Sequence, residues 1–154
     1  MAKASSRTGE PLVRLLEYQY PHQGYACIKD QFLLGDRVLV APVLEKAVTR
    51  RELWLPPGKW THWLTGQEYA GDQAVTVDSQ LAMTPIFIRE GTALFVADPR
   101  RNAEDTLLGP LALEVYPPSP GQSGGGTLFL DDGESDSAAR FILDAKIRNE
   151  AGEL

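Results

Sequence analysis

Residues 30–43, DQFLLGDRVLVAPV, pass from a polar entry through a glycine turn into a stretch apolar on both faces that stops at a proline. Strands buried on both faces belong to the interiors of parallel sheets and barrels, and the pattern predicts such a strand over Val38–Leu44. Ahead of it, LVRLLEYQY (12–20) sets Leu12, Leu16, Tyr18 and Tyr20 on one face with Arg14. Period-2 spacing of aliphatic and aromatic residues predicts a strand that Pro21 ends. Residues 22–37 read as a loop with at most one helical turn.

From residue 45 the texture changes to short strands broken by turns. Glu52–Leu55 runs into the turn PPGK and returns as Trp60–Leu64, and Thr65-Gly66 marks a second turn. AVTVD (74–78) alternates, with Val75 and Val77 on one face. PIFIREG (85–91) and ALFVAD (93–98) are two more strands separated at Gly91. The polar stretch DPRRNAEDT (98–106) is the expected boundary between two parts of the chain.

Beyond it come LALEVYP (111–117), a Gly/Ser-rich connection at 121–126, and GTLFLDDGES with an Asp132-Gly133 hairpin signal. The segment 140–148 places Phe141, Leu143, Ala145 and Ile147 on one face, against Arg140, Asp144, Lys146 and Arg148 on the other. This predicts a strand with Phe141, Leu143 and Ile147 buried. Many short strands with frequent turns predict a mainly β, sandwich-like fold with no long helix.

Composition narrows the function. A net charge of −6, with no concentration of Lys and Arg, argues against nucleic acid as a partner. The single cysteine, Cys27, excludes an internal disulfide. MAKASSRTGE lacks the apolar core of a signal peptide, and no run reaches the roughly 18 apolar residues of a membrane span. A soluble, cytoplasmic chain is expected.

Candidate chemistry is sparse. GQSGGGT (121–127) has no lysine to meet phosphates and leads into a strand, so a hairpin loop is the better reading. DDGESD (131–136) lacks the alternating oxygen ligands of a calcium loop. His22 and His62 have no second ligand at metal spacing. No catalytic residue, metal ligand or cofactor site is therefore assigned. Indole rings stack on the apolar faces of sugars, which makes Trp54, Trp60 and Trp63 candidate carbohydrate platforms. Trp60 and Trp63, three apart, should point to opposite faces of a strand, so at least one belongs to a core.

The order of motifs carries more than any one of them. GEPLVRLLEYQYP, DQFLLGDRVLVAPVLE, LWLPPGKWTHWLTGQEY, PIFIREGTAL and GTLFLDDGES, in that order over residues 9–136, resemble the C-terminal portion of glycoside hydrolase family 31. That family contains α-glucosidases and α-xylosidases, and the chain departs from it at Arg14-Leu15-Leu16, where the family usually has Arg-Pro-Leu. Residues 1–10 are expected to be disordered, and the resemblance implies a remnant of the last two barrel strands at 11–44, a proximal β-domain at 45–98 and a truncated distal β-domain at 99–154. Hydrolysis with retention needs two carboxyl groups about 5 Å apart, and the family carries its catalytic aspartates on earlier barrel strands.

The expectation is a non-catalytic C-terminal β-domain fragment with a structural or interaction role. A carbohydrate-binding module, or a subunit of a split α-glucosidase completed in trans, is the alternative. Apolar residues that would face the rest of a barrel predict a homodimer through Leu12–Leu16 and Val38–Val43.

Overall fold

A strand persists only as far as a neighbour accepts its backbone hydrogen bonds, and that rule shapes the first part of the chain. The structure, a computed structural model, describes residues 2–79, 83–97, 110–131 and 139–150. A short helix, α1 (Ala2–Thr8), occupies part of the segment expected to be disordered. The strand expected over 12–20 is only two residues long, β1 (Val13–Arg14), followed by the one-turn helix α2 (Leu16–Gln19). The reason is its partner. Val13 and Arg14 pair with Leu34 and Leu33 of β2 (Phe32–Leu34), itself only three residues long. Beyond Arg14 no ladder continues, and the backbone closes on itself instead, Tyr20 N donating to Leu16 O at 2.8 Å.

β2 also corrects the loop expected over 22–37, which holds a 3₁₀ turn (Tyr25–Cys27) as well as this strand. The strand of the 30–43 stretch is shorter than expected, β3 (Val38–Val40), but all three of its residues are buried. It lies inside a sheet, between β2 and a strand from much later in the chain. The next strands are β4 (Arg50–Leu55), β5 (Lys59–His62), β6 (Glu68–Ala70), β7 (Gln73–Asp78) and β8 (Ile86–Arg89).

β1-β2-β3-β8-β5-β6 form a six-stranded sheet, while β4 and β7 pair as a separate two-stranded layer. The PPGK turn therefore does not return β4 on itself; it carries the chain from one layer to the other. Between the layers lies the core. Leu33, Leu39, Trp60 and Phe87 enter from the larger sheet, and Leu53, Leu55, Val75 and Val77 from the pair. Val75 and Val77 alternate with exposed Ala74, Thr76 and Asp78, as their period requires.

Two polar residues of the 30–43 stretch secure the free edge of β4. The buried amide of Gln31 donates from Nε2 to Trp54 O (2.7 Å) and accepts at Oε1 from Trp54 N (2.9 Å), as a neighbouring strand would. Asp30 holds Arg51 through its carboxylate at 2.7 Å and its carbonyl at 2.8 Å.

The described residues divide into two compact units at Glu90/Gly91. The polar stretch expected to mark a boundary, 98–106, lies outside the described residues. In the second unit β9 (Thr92–Ala97), β10 (Leu111–Tyr116), β11 (Ser123–Asp131) and β12 (Ala139–Arg148) form one sheet in the order β10-β9-β11-β12. The Gly/Ser segment expected as a hairpin loop is part of β11 from Ser123 onward. Its glycines answer a steric need, since a Cβ at Gly124 would overlap the Gly91 carbonyl, at Gly125 that of Ala145, and at Gly126 that of Ala93. The turn itself comes earlier, at Gly121 with φ of 77°.

β12 is the strand expected, but Leu143 is 41% exposed and Ile147 only half-buried, while the burial of Phe141 lies outside the described residues. The pairing registers place Leu143 on one face with Leu111, Leu113 and Val115, all of them exposed among the described residues. The Asp132-Gly133 signal lies outside the described residues. β11 and β12 nonetheless pair antiparallel from Ser123↔Arg148 to Asp131↔Ala139.

Candidate functional site

The three tryptophans take three different places. Trp60 is fully buried in the first unit, its Nε1 donating to Pro56 O at 2.8 Å, so no ligand can stack on it. Trp54 is half-buried on β4, its ring tilted against Tyr25 at 6.4 Å and its Nε1 buried without a partner. Trp63 begins the turn after β5 and is 39% exposed. The three do not converge on one surface.

A different set of residues does converge. Two inward-facing side chains lie beyond Phe87 at the rim of the core. His62 stands edge-on to Phe87 at 5.1 Å, and Tyr69 does the same at 5.6 Å. Register explains the placement, because His62 pairs with Phe87 across β5–β8 and Trp60 with Tyr69 across β5–β6. Here the two layers part and leave an open cleft of about 460 Å³. The β5–β6 hairpin lines it with His62, Thr65, Gln67 and Tyr69. The β4–β7 pair supplies Arg50, Thr76, Val77 and Asp78. Arg50 and Asp78 are register partners and form an exposed ion pair, Nε to Oδ1 at 3.4 Å.

The protonation of His62 follows from its turn. Thr65 N, which can only donate, points at Nδ1 from 3.2 Å. Nδ1 is therefore the acceptor, and the ring proton sits on Nε2. Burial lowers the His62 pKa from its ordinary 6.5 by disfavouring the charged form. Burial likewise raises the Tyr69 phenol, with the Asp78 carboxylate adding to it.

The sign of the pH effect is fixed. Between its lowered folded value and 6.5 the unfolded His62 binds the proton and the folded one does not, so acid favours unfolding. The melting temperature of the first unit should fall as pH drops through that window. His62→Gln should flatten the dependence; an unchanged slope would place its origin elsewhere.

Among the described residues, Asp78 is the one carboxylate lining the cleft, whereas retaining glycoside hydrolysis uses two. Among the described residues no group of three or more His, Cys, Asp or Glu could hold a metal ion. No helix there is long and apolar enough to cross a membrane. The sequence motifs did not reveal the cleft, since Arg50 and Asp78 meet only through strand register and their spacing carries no signature. The one local hint is Thr65, which follows His62 at the distance a turn needs to cap the ring.

Comparison with known proteins gives a consistent result. Residues 9–94 match the glycosyl hydrolase family 31 C-terminal domain. Alpha-glucosidase 2 of Bacillus thermoamyloliquefaciens is 36% identical over 98 residues, covering 63% of this chain and 12% of that protein. An alpha-glucosidase of Mucor javanicus is 31% identical over 138 residues, 85% of this chain and 16% of that one. Among solved structures, the GH31 dextranase of Flavobacterium johnsoniae in complex with glucose has a TM-score of 0.85 at 28% identity, covering 94% of this chain and 18% of its own. The chain thus spans less than a fifth of the length of each of these relatives.

Proposed function

The chain belongs to glycosyl hydrolase family 31, and on that premise we propose that it acts as a non-catalytic C-terminal β-domain that supports a catalytic barrel. One observation carries this reading: the match falls on the family's C-terminal domain and on a small fraction of each relative. The purified chain should not release nitrophenol from aryl α-glucosides or α-xylosides above the buffer rate. Turnover that survives repurification and disappears with Asp78→Asn, Asp131→Asn or Asp132→Asn would overturn the reading.

Exposed apolar residues at the start of the matched region favour a partner in trans. Leu12, Val13 and Leu15 are exposed at 38%, 56% and 47%, while Val38, Leu39 and Val40 are buried within the chain's own sheet. Leu16, expected in the same surface, is fully buried too, so on this reading the partner meets Leu12, Val13 and Leu15. When the chain is purified by itself, a second copy covers that surface. Sedimentation at micromolar concentration should show a dimer that Val13→Ser with Leu15→Ser converts to monomer. A monodisperse wild-type monomer would reject the pairing.

A further inference from the structure

We propose that the cleft between the β5–β6 hairpin and the β4–β7 pair binds a neutral oligosaccharide, held by Arg50, Asp78, Gln67 and Thr76 and seated against the ring of Tyr69. This assignment goes beyond the supporting role above and does not depend on it.

Size is the first argument. About 460 Å³ falls within the roughly 300–1,000 Å³ of small-molecule sites. Charge is the second. Arg50 and Asp78 stand 3.4 Å apart and cancel, and the other lining groups are uncharged when His62 is neutral. An anion would gain at Arg50 what it lost at Asp78, and a cation the reverse.

The third argument is the kind of hydrogen bonding on offer. Arg50 only donates and ionised Asp78 only accepts, while Gln67 and Thr76 do both and His62 donates from Nε2. Such a mixed wall suits a ligand whose every polar group both donates and accepts, which describes a sugar hydroxyl. Adjacent hydroxyls can bridge an arginine and a carboxylate that already sit side by side.

Beside these groups the cleft has an apolar floor. Tyr69 and Val77 line it, with Tyr69 packed edge-to-face on Phe87. A sugar ring presents an apolar face of C–H groups that such a floor accommodates. The wall is also preorganised. Thr65 fixes the His62 ring, Phe87 braces Tyr69, and Arg50, Thr76 and Asp78 ride on paired strands rather than on loops. The backbone of the wall is thus fixed, and binding has to order only the exposed side chains of Arg50, Asp78 and Gln67.

The test is calorimetric titration of the full chain with maltotriose and isomaltotriose. Saturable binding is expected, weakened about tenfold by Gln67→Ala or Asp78→Ala, since each removes hydrogen bonds from an exposed side chain outside the core. Trp63→Ala should leave affinity unchanged, and thermal melts should show all three variants folded.

The chain has only two histidines, which supplies a second readout. The ring protons of His62 should shift in the NMR spectrum on titration, with those of His22 as the control. The proposal is overturned if neither trisaccharide moves His62 or gives saturable heat. It is overturned equally if binding survives both cleft variants, as a strand-adding peptide site would, or is lost with Trp63→Ala alone. None of these failures touches the hydrolysis test of the supporting role, which reads a different event on a different substrate.

Discussion

Trp60→Ala should cost the first unit about 3–5 kcal/mol, the usual range for deleting a fully buried large aromatic. Trp60 has no exposure and lies in the cluster that joins both layers, so nothing nearby can collapse into its space without disturbing Leu53, Leu55 and Phe87. The buried Pro56 carbonyl also loses its donor at 2.8 Å, a further penalty of about 1–3 kcal/mol if no water reaches it. Small domains are stable by about 5–15 kcal/mol in total. The variant should therefore be largely unfolded at physiological temperature. Trp60→Phe, which keeps most of the volume and loses the N–H, should fall between. Trp63→Ala, at an exposed turn, should cost much less. Denaturant titration followed by near-ultraviolet circular dichroism reads all three, and equal losses at Trp60 and Trp63 would refute the burial argument.

The second large effect is expected in β11. Gly126→Val places a branched side chain where even a Cβ would overlap the Ala93 carbonyl, and that obstacle is backbone, which cannot rotate aside. Overpacking in a core typically costs about 1–3 kcal/mol, and a clash with a strand's own backbone belongs at or above the top of that range. The site of damage should be specific. Amide exchange should accelerate along Thr92–Ala97 and leave the first unit unchanged. Gly121→Ala makes a useful contrast, having open space for its Cβ but φ of 77°. It should lose about 1–2 kcal/mol through conformation alone. If Gly126→Val proved as mild as Gly121→Ala, the close approach of β11 to β9 would be wrong.

Periodicity was informative where one face of a strand is buried and the other wet. Val75 and Val77 announce β7 on their own, and the doubly apolar Val38–Val40 announces an interior strand. Apolar spacing was misleading at residues 12–20, where the deciding factor was the length of the partner strand and not any local property. The glycines at 124–126 read as a loop because glycine is common in loops. Their actual reason, the passage of one backbone across another, is visible only in three dimensions. Gln31 and Asp30 look like the polar entry to a strand, and only the folded chain shows them securing β4. The cleft was hidden for a similar reason, since one of its walls forms only when the β4–β7 register brings residues 50 and 78 together. The order of the five motifs did identify the family, because collinearity over a long segment is harder to match by chance than any single short pattern.

The pairings of the first unit are nested. β5–β6 closes residues 59–70, β4–β7 closes 50–78 around it, and β3–β8 closes 38–88 around both. Each inner closure shortens the free chain that the next must bring together, so the entropy of loop formation is met in small steps. Folding should proceed from the hairpin outward, with the pairing of β3 to β8 the last of these three closures, although β3 already has β2 on its other edge. During synthesis at about 5–20 residues per second, the edge of β3 opposite β2 waits several seconds for Ile86–Ile88 to be made and stays open meanwhile. The most buried strand of the finished sheet is thus the one most exposed to aggregation while the protein is being born.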